Sequence, residues 1–434
     1  MDNRQQKNAV AYQCPSCGAP LTYEAKSGKL ACAACENRYE LDLLEAMAGV
    51  EETGCIEFEM PAETFGESDA AQIQAYICKG CGAELMTQDT TTATQCPYCG
   101  SPTILPERIE GGVKPEKVIP FTVTKEEAQQ RFEAYFKGKK LLPNVFLNTR
   151  NRITEMQRLY VPYWLFDCGA AGNAAYEAEK TRSYIQGDYE ITETEHYFVT
   201  RSGRMDFIGI PVDGSEKLDN KITESLEPYD MSAAVPFAPA VLAGAMADHA
   251  DVDSEACQAR ARERVENSMS QALRNTVSGY TNVRKRGEHV HTEAGKATPV
   301  LMPIWLITTE KEGTTYTFAI NGQTGKLTCN VPADTSKGLI WGAGVFAGVF
   351  ALMCAVFYCM QMLDDMMLIV SGFVSLMAAV ITLSVLFAQL KRAAHVDSAA
   401  DYVVRNSFRL YGVRDAYVRT SRTCRRIERK GNGR

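Results

Sequence analysis

The sequence predicts a multidomain protein: two small, β-rich zinc ribbons, an α+β middle domain with an internal duplication, and an α-helical transmembrane hairpin. Three observations carry this prediction. Four Cys-x-x-Cys pairs precede residue 100, mixed helix and strand patterning runs from about Lys114 to Pro332, and two uncharged 23-residue stretches follow. At 434 residues the chain exceeds one ordinary domain.

The cysteine pairs come as a repeat. Cys14, Cys17, Cys32 and Cys35 recur 64 positions later as Cys78, Cys81, Cys96 and Cys99, and Gly18, Ala19 and Leu21 recur as Gly82, Ala83 and Leu85. Zinc takes four soft ligands in a tetrahedron, and two such knuckles about fifteen residues apart supply them when a short hairpin brings them together. All eight cysteines are therefore expected to hold two structural zinc ions. A site of four thiolates leaves no coordination position for water, so the metal folds the module rather than performing chemistry. Gly18, Gly82 and Gly100 follow a knuckle's second cysteine, where a tight turn needs an unrestricted backbone; Cys32-Ala-Ala-Cys35-Glu has no such glycine. The first ribbon is placed at 1–50, an acidic linker at 51–72 after a short helix at Leu41 to Met47, and the second ribbon at 73–110.

The middle domain is placed at 111–335. Thr124 and Glu127 form a capping box ahead of Ala128, Phe132, Tyr135 and Phe136. A longer helix is expected near Ser254 to Val277, with Val265, Met269, Ala272, Leu273 and Thr276 on one face. TETEHYFVTRSG, MDFIGIPV and TTYTFAI read as strands, the last ending in an Asn321-Gly322 turn. The doubling is read from VIPF, a helix and VPYWLF, echoed by AVPF, a helix and MPIWLI, with Trp164 and Trp305 in matching places.

The hairpin is placed at 338–390, with helices at 338–360 and 366–388. Each would extend roughly 35 Å and cross a hydrocarbon core of about 30 Å with modest tilt. Gly344 and Gly348 offer a small-x-x-x-small step for close helix packing. Lys337 precedes the pair, Lys391 and Arg392 follow it, and the connection bears Asp364 and Asp365. The positive ends belong inside, which predicts a multi-pass protein of the cell (inner or plasma) membrane with both termini cytoplasmic. The polar start MDNRQQKNAV has no signal-peptide core, and unoxidised thiols require the reducing cytoplasm, so both lead to the same topology. A basic cytoplasmic tail, 391–434, completes the chain.

Charge bears on partners. Residues 1–105 hold 15 Asp+Glu against 6 Lys+Arg, a balance of −9, whereas from Asp397 onward 10 Lys+Arg stand against 4 Asp+Glu, a balance of +6. Eight thiolates and two dications would make the ribbons more acidic still, and a polyanion gains no counterion release there, so nucleic acid is not expected as a partner. The tail's arginines can meet anionic lipid headgroups or remain solvated. No phosphate loop, nucleophile elbow, zincin helix or dinucleotide fingerprint occurs, and an enzyme is not expected. Two alternatives stay open: a membrane-tethered nucleic-acid binder, and an enzyme with an unrecognised site in the middle domain. The second would place a pocket at Trp164 or Trp305, or a metal at His289 and His291, which alternate on one side of a strand.

With CPSCGAPL, CKGCGAEL, CPYCGSPTILP, KVIPFTVTKEEA, LYVPYWLFD, GDYEITET, PVDGS, MPIWLIT and FAINGQTGKL in view, the chain resembles the bacterial YdjG-like zinc-ribbon membrane proteins, also described as TFIIB-type zinc-ribbon proteins. The resemblance covers nearly the whole length. It implies a noncatalytic membrane component that works with PspA-type and SPFH-domain proteins in envelope stress or membrane organisation. The ribbon cysteines carry over position by position. The resulting expectation is a membrane-anchored adaptor that recruits cytoplasmic proteins to the bilayer.

Overall fold

A computed structural model describes residues 14, 19–24, 27, 29–35, 38–39, 58–59, 63–66, 69, 72–88, 95–102, 104–107, 113–137, 139–143, 156–252, 254–293, 295–311, 314–330, 333–361, 364–390 and 393–426. In chain order the strands are β1 (Leu21–Glu24), β2 (Lys29–Cys32), β3 (Arg38–Tyr39), β4 (Ile73–Cys78), β5 (Glu84–Gln88), β6 (Ile104–Glu107) and β7 (Lys117–Val118). Helix α1 (Lys125–Phe136), the long strands β8 (Gln157–Gln186) and β9 (Tyr189–Asp213), α2 (Asn220–Ser225), β10 (Val235–Pro236), β11 (Met246–Asp248) and α3 (Ser254–Asn275) follow. Then come β12 (Asn282–Thr292), β13 (Lys296–Lys311), β14 (Thr314–Asn321), β15 (Leu327–Cys329), the apolar helices α4 (Thr335–Cys359) and α5 (Asp365–Ala388), and β16 (Arg409–Arg426).

Strand β8 is the spine. Along one edge it pairs first with β11 and then with β9; along the other, first with β13 and then with β12. The segments read from sequence as two strands, TETEHYFVTRSG and MDFIGIPV, are thus one strand, β9. Helix α3 lies on one face of this sheet, and its Ala261, Val265, Met269 and Leu273 are fully buried against Tyr176, Val199, Met205 and Phe207. The four-residue spacing seen in the sequence is this packed stripe. Helix α1 starts at the expected capping box: the Glu127 amide donates to Thr124 Oγ1 at 3.2 Å, and the Thr124 amide donates to Glu127 Oε2 at 3.0 Å.

The duplication is visible at the β8–β13 ladder. Val161 pairs with Met302, its counterpart 141 positions later (302 − 161), so a local two-fold axis passes through that pair. Lys117 and Val118 of β7 lie parallel to Val300 and Leu301, while Met246 and Ala247 of β11 lie parallel to Leu159 and Tyr160, the equivalent positions. The counterpart of β7 is therefore β11 and not the AVPF segment, whose residues Val235 and Pro236 pair directly with β7. The Asn321-Gly322 turn is also wider than expected. The Asn321 amide donates to Lys326 O, its side-chain oxygen accepts from the Gln323 and Thr324 amides, and the left-handed residue is Gly325 at φ +73°. Gly322 is needed for another reason, since a Cβ there would come within 2.6 Å of the Phe121 ring.

The structure corrects three expectations drawn from the sequence. The acidic stretch 51–72, expected as a linker, is a strap wherever it is described: Phe58 packs edge-on against Phe166 at 4.9 Å, Glu59 exchanges backbone hydrogen bonds with Gly295 and Ala297, and Phe65 is buried beside Phe237. The tail from 391, whose arginines were expected to meet lipid headgroups or remain solvated, contains a long paired strand. Its β16 pairs with β9 over nearly all its length, setting arginines beside the acidic strand, as in Arg422 opposite Glu193 and Arg425 opposite Glu190. Arg422 lies 3.7 Å from the Glu193 carboxylate, a pairing that a charge count cannot reveal. Finally, the Gly344/Gly348 step is not where α4 and α5 meet; nothing lies within 4 Å of a Cβ at either position, whereas one at Gly342 would touch Leu383. Buried Gly338, Gly342, Ser371, Ser375 and Ala379 form that contact. The short helix expected at Leu41 to Met47 lies outside the described residues.

The segment following α5 is locked down by a buried ionic clasp. Arg264, fully buried, donates to both Glu227 oxygens at 3.0 and 2.6 Å and to Pro211 O at 2.7 Å, while the Tyr402 hydroxyl donates to Glu227 Oε2 at 2.8 Å. Arg260 pairs with Glu224, which also accepts from the Val396 amide at 2.7 Å. Burial holds the Glu227 carboxyl above its ordinary value, with Arg264 opposing. Substituting Arg264→Ala leaves that carboxylate buried and uncompensated, and the expected loss is about 3–5 kcal/mol of stability, measured as a lower denaturant midpoint.

Candidate metal centres

The second cysteine quartet is assembled by two knuckles of the same construction. In one, the Cys78 amide donates to Ala83 O at 2.9 Å and the Gly82 amide to Cys78 O at 2.8 Å; in the other, Cys96 donates to Ser101 O and Gly100 to Cys96 O, both at 2.9 Å. Gly82 and Gly100 take φ of +71° and +72°, where any side chain would be strained, which explains the glycine after each second cysteine. The four sulfurs lie within 4.8 Å of one another, with Cys78 to Cys99 at 3.6 Å and Cys81 to Cys96 at 3.7 Å. Four sulfurs at about 2.3 Å from a common tetrahedral centre would be about 3.8 Å apart, so the quartet fits a divalent metal.

The electrostatics favour a thiolate at one of these positions. Burial disfavours the charged form of Cys78, but the Cys81 and Gly80 amides and the neighbouring thiols outweigh it and bring the group down to about 7. Burial pushes Cys81 up to about 11 and holds Cys96 higher still, against amides from Ala83 and from Cys99 and Tyr98 respectively. One sulfur is thus ready to capture a cation, whose charge would draw the remaining protons off.

This quartet is not a free-standing module. Strand β5 pairs with β11, and Thr308 donates to Pro97 O at 2.8 Å. Tyr98, between the cysteines of the second knuckle, donates its hydroxyl to Asp248 Oδ2 at 2.6 Å, and Ser215 donates to the same oxygen. Nothing in the cysteine spacing announced this contact, although the PVDGS motif contains Asp213 and Ser215. Asp213, wholly buried next door, is held far above the usual carboxylate range by desolvation.

In the first ribbon, Cys14, Cys32 and Cys35 come together, with Cys14 and Cys35 sulfurs 3.5 Å apart, and the Cys14 amide repeats the knuckle bond to Ala19 O at 2.8 Å. Cys17 lies outside the described residues. The Tyr39 hydroxyl stands 3.6 Å from Cys14 Sγ. The three-stranded sheet β1–β2–β3 packs through Cys14, Leu30, Cys32 and Tyr39 onto Ala175 and Phe198 of the β8–β9 surface.

Elsewhere the candidate residues make structural contacts. Trp305 donates its indole to Val123 O at 3.0 Å and both Trp164 and Trp305 are buried in apolar clusters. His289 and His291 stack at 6.1 Å on β12, but no third ligand joins them among the described residues. A cavity of about 560 Å³ lies at the β10 edge of the sheet, lined by neither tryptophan; its Lys114 and Lys296 are paired with Asp69 and Glu116.

Elemental analysis of reduced protein should find two metal equivalents per chain, with Cys78→Ser/Cys96→Ser losing one and Cys14→Ser/Cys32→Ser the other; only the first should also lower the melting temperature of the main sheet. A separate expectation concerns pH. Burial, opposed by Ser215 and Tyr98, raises Asp248 from 3.8 to about 7. A carboxyl that holds its proton more tightly when folded stabilises the fold most below its unfolded value and loses that contribution as pH rises through about 7. Asp248→Asn should therefore flatten the fall in melting temperature between about pH 5 and 8.

No family model matches the sequence, and no solved structure matches it. Among curated proteins, "Uncharacterized protein YdjG" of Bacillus subtilis (strain 168) is 34% identical over 341 residues, spanning 79% of this chain and 95% of the relative. With its repeated cysteine clusters, central sheet and paired apolar helices, the chain belongs to the YdjG family.

Proposed function

We propose that this protein is a noncatalytic, membrane-anchored scaffold, its two cysteine quartets filled by zinc and its α4–α5 hairpin spanning the cell membrane with both termini in the cytoplasm. The observation that carries this reading is the union, in one chain, of cysteine clusters able to hold a metal, packed on the central sheet, with two helices long and apolar enough to cross a membrane. Their apolar windows are only 6% and 17% buried, unlike core helices of a soluble protein. Lys337 stands at one end of the pair, Asp364 and Asp365 at the other, in agreement with the positive-inside rule.

Because the second quartet is woven into the sheet, its metal serves the fold, and the small first ribbon is the better recruiting surface. PspA-type and SPFH-domain proteins in envelope stress are the proposed partners, on the strength of the family resemblance. The pairing of β16 arginines with the acidic β9 argues against a nucleic-acid role. The test is copurification from detergent-solubilised membranes with intact protein and with Cys14→Ser/Cys32→Ser. Selective loss of PspA-type or SPFH-domain proteins is expected, with the second metal retained; an unchanged partner set would overturn ribbon-mediated recruitment.

A further inference from the structure

The loop after α1 folds beneath the feet of the apolar hairpin. Leu141 and Leu142 are buried there, Leu141 facing Gly338 and accepting a hydrogen bond from the Asp334 amide at 2.8 Å. This burial fixes the lysines beside it. Lys140 Nζ sits 3.8 Å from the centre of the Trp341 ring, Lys139 donates to the carbonyl of Gln389 at the end of α5, and Lys337 donates to Leu142 O at 2.6 Å. Lys137 and Lys140 are exposed, and so is Trp341 at 39%. The neighbouring acid, Asp334, is turned onto its own helix and accepts from the Lys337 amide. Lys139, Lys140 and Lys337, with the Trp341 indole beside Lys140, therefore stand at the base of the two helices, and exposed Lys137 precedes them at the end of α1.

We propose that these lysines form a docking surface for anionic phospholipid headgroups: Lys137 and Lys140 meet lipid phosphates while Trp341 lies at the interface between headgroups and acyl chains. The proposal rests on the hairpin spanning a bilayer. Charge complementarity selects the occupant, since cationic side chains flanking an apolar span attract the anionic leaflet, and tryptophan favours that boundary. Arg425 and Arg426 of the tail are not placed for this task. Met156, just before β8, packs in the same cluster as Leu390 at the hairpin's feet, whereas Arg425 and Arg426 pair with Glu190 and Tyr189 at the far end of the β8–β9 hairpin. The 30 residues of β8 separate these places by roughly 100 Å of strand.

Trp341 supplies the readout, because Trp164 and Trp305 are each only 4% exposed. The full chain is placed in nanodiscs of phosphatidylcholine and phosphatidylglycerol, with bromine on the acyl chains of one lipid or the other at equal mole fraction; Trp341→Phe identifies the signal. Brominated phosphatidylglycerol is expected to quench more strongly than brominated phosphatidylcholine, by about twofold or more, and Lys137→Gln/Lys140→Gln should abolish the preference while keeping both metals. Equal quenching by the two lipids, or a preference that survives in the variant, would overturn the proposal. Quenching by neither lipid would overturn the spanning reading itself and the proposal with it.

Discussion

A strand of 30 residues must find partners for its backbone groups along both edges, and this requirement on β8 organises the molecule. One edge is closed by β11 at Leu159 and Tyr160 and by β9 from Tyr163 onward, the other by β13 from Gln157 to Asp167 and by β12 from Ala170 to Glu179. The duplicated halves meet there, the first ribbon rests on it, and the hairpin's feet pack beside its beginning. Beyond β12, the β8–β9–β16 ribbon continues with its side chains largely exposed, held by cross-strand pairs such as Arg182 with Glu193 rather than by a core.

The two cysteine quartets share a construction but differ in their place. A small knuckle pair cannot bury enough apolar surface to fold alone, so a metal held by its cysteines would supply the organising energy. In the second quartet that energy is linked to the sheet through Tyr98, whose hydroxyl ends in a buried acidic nest with Asp248 and Ser215. A metal bound there would bear on the packing of β5 against β11. Among the described residues the first cluster packs on Ala175, Phe198, Ala416 and Val418 at the sheet surface, so its state can change with less consequence for the rest.

Charge is likewise matched within the fold before any is left for the surroundings. Glu224 and Glu227, two of the chain's many acids, are taken up by Arg260, Arg264 and the segment leaving α5. The basic strand β16 is set against the acidic β9. Among the described residues near the apolar helices, Lys139, Lys140 and Lys337 stand at one end and Asp364 with Asp365 at the other, an asymmetry suited to a bilayer with anionic lipid on one side.

Local rules were legible in the sequence where a single neighbourhood decides the outcome. The cysteine spacing anticipated the two clusters in which seven described cysteines come together, because a knuckle is closed by hydrogen bonds within six residues. The Thr124–Glu127 capping box, the α3 stripe and the apolar helices were equally readable, each being set by short-range periodicity or capping. The tertiary structure alone decided what depends on partners distant in sequence. Phe58 and Phe65 are buried only because β8 and β10 run beside them, Tyr98 finds Asp248 across 150 positions, and the arginines of β16 meet the glutamates of β9 across more than two hundred. No periodicity within a segment encodes such a meeting; it exists once the long strand has brought the segments together.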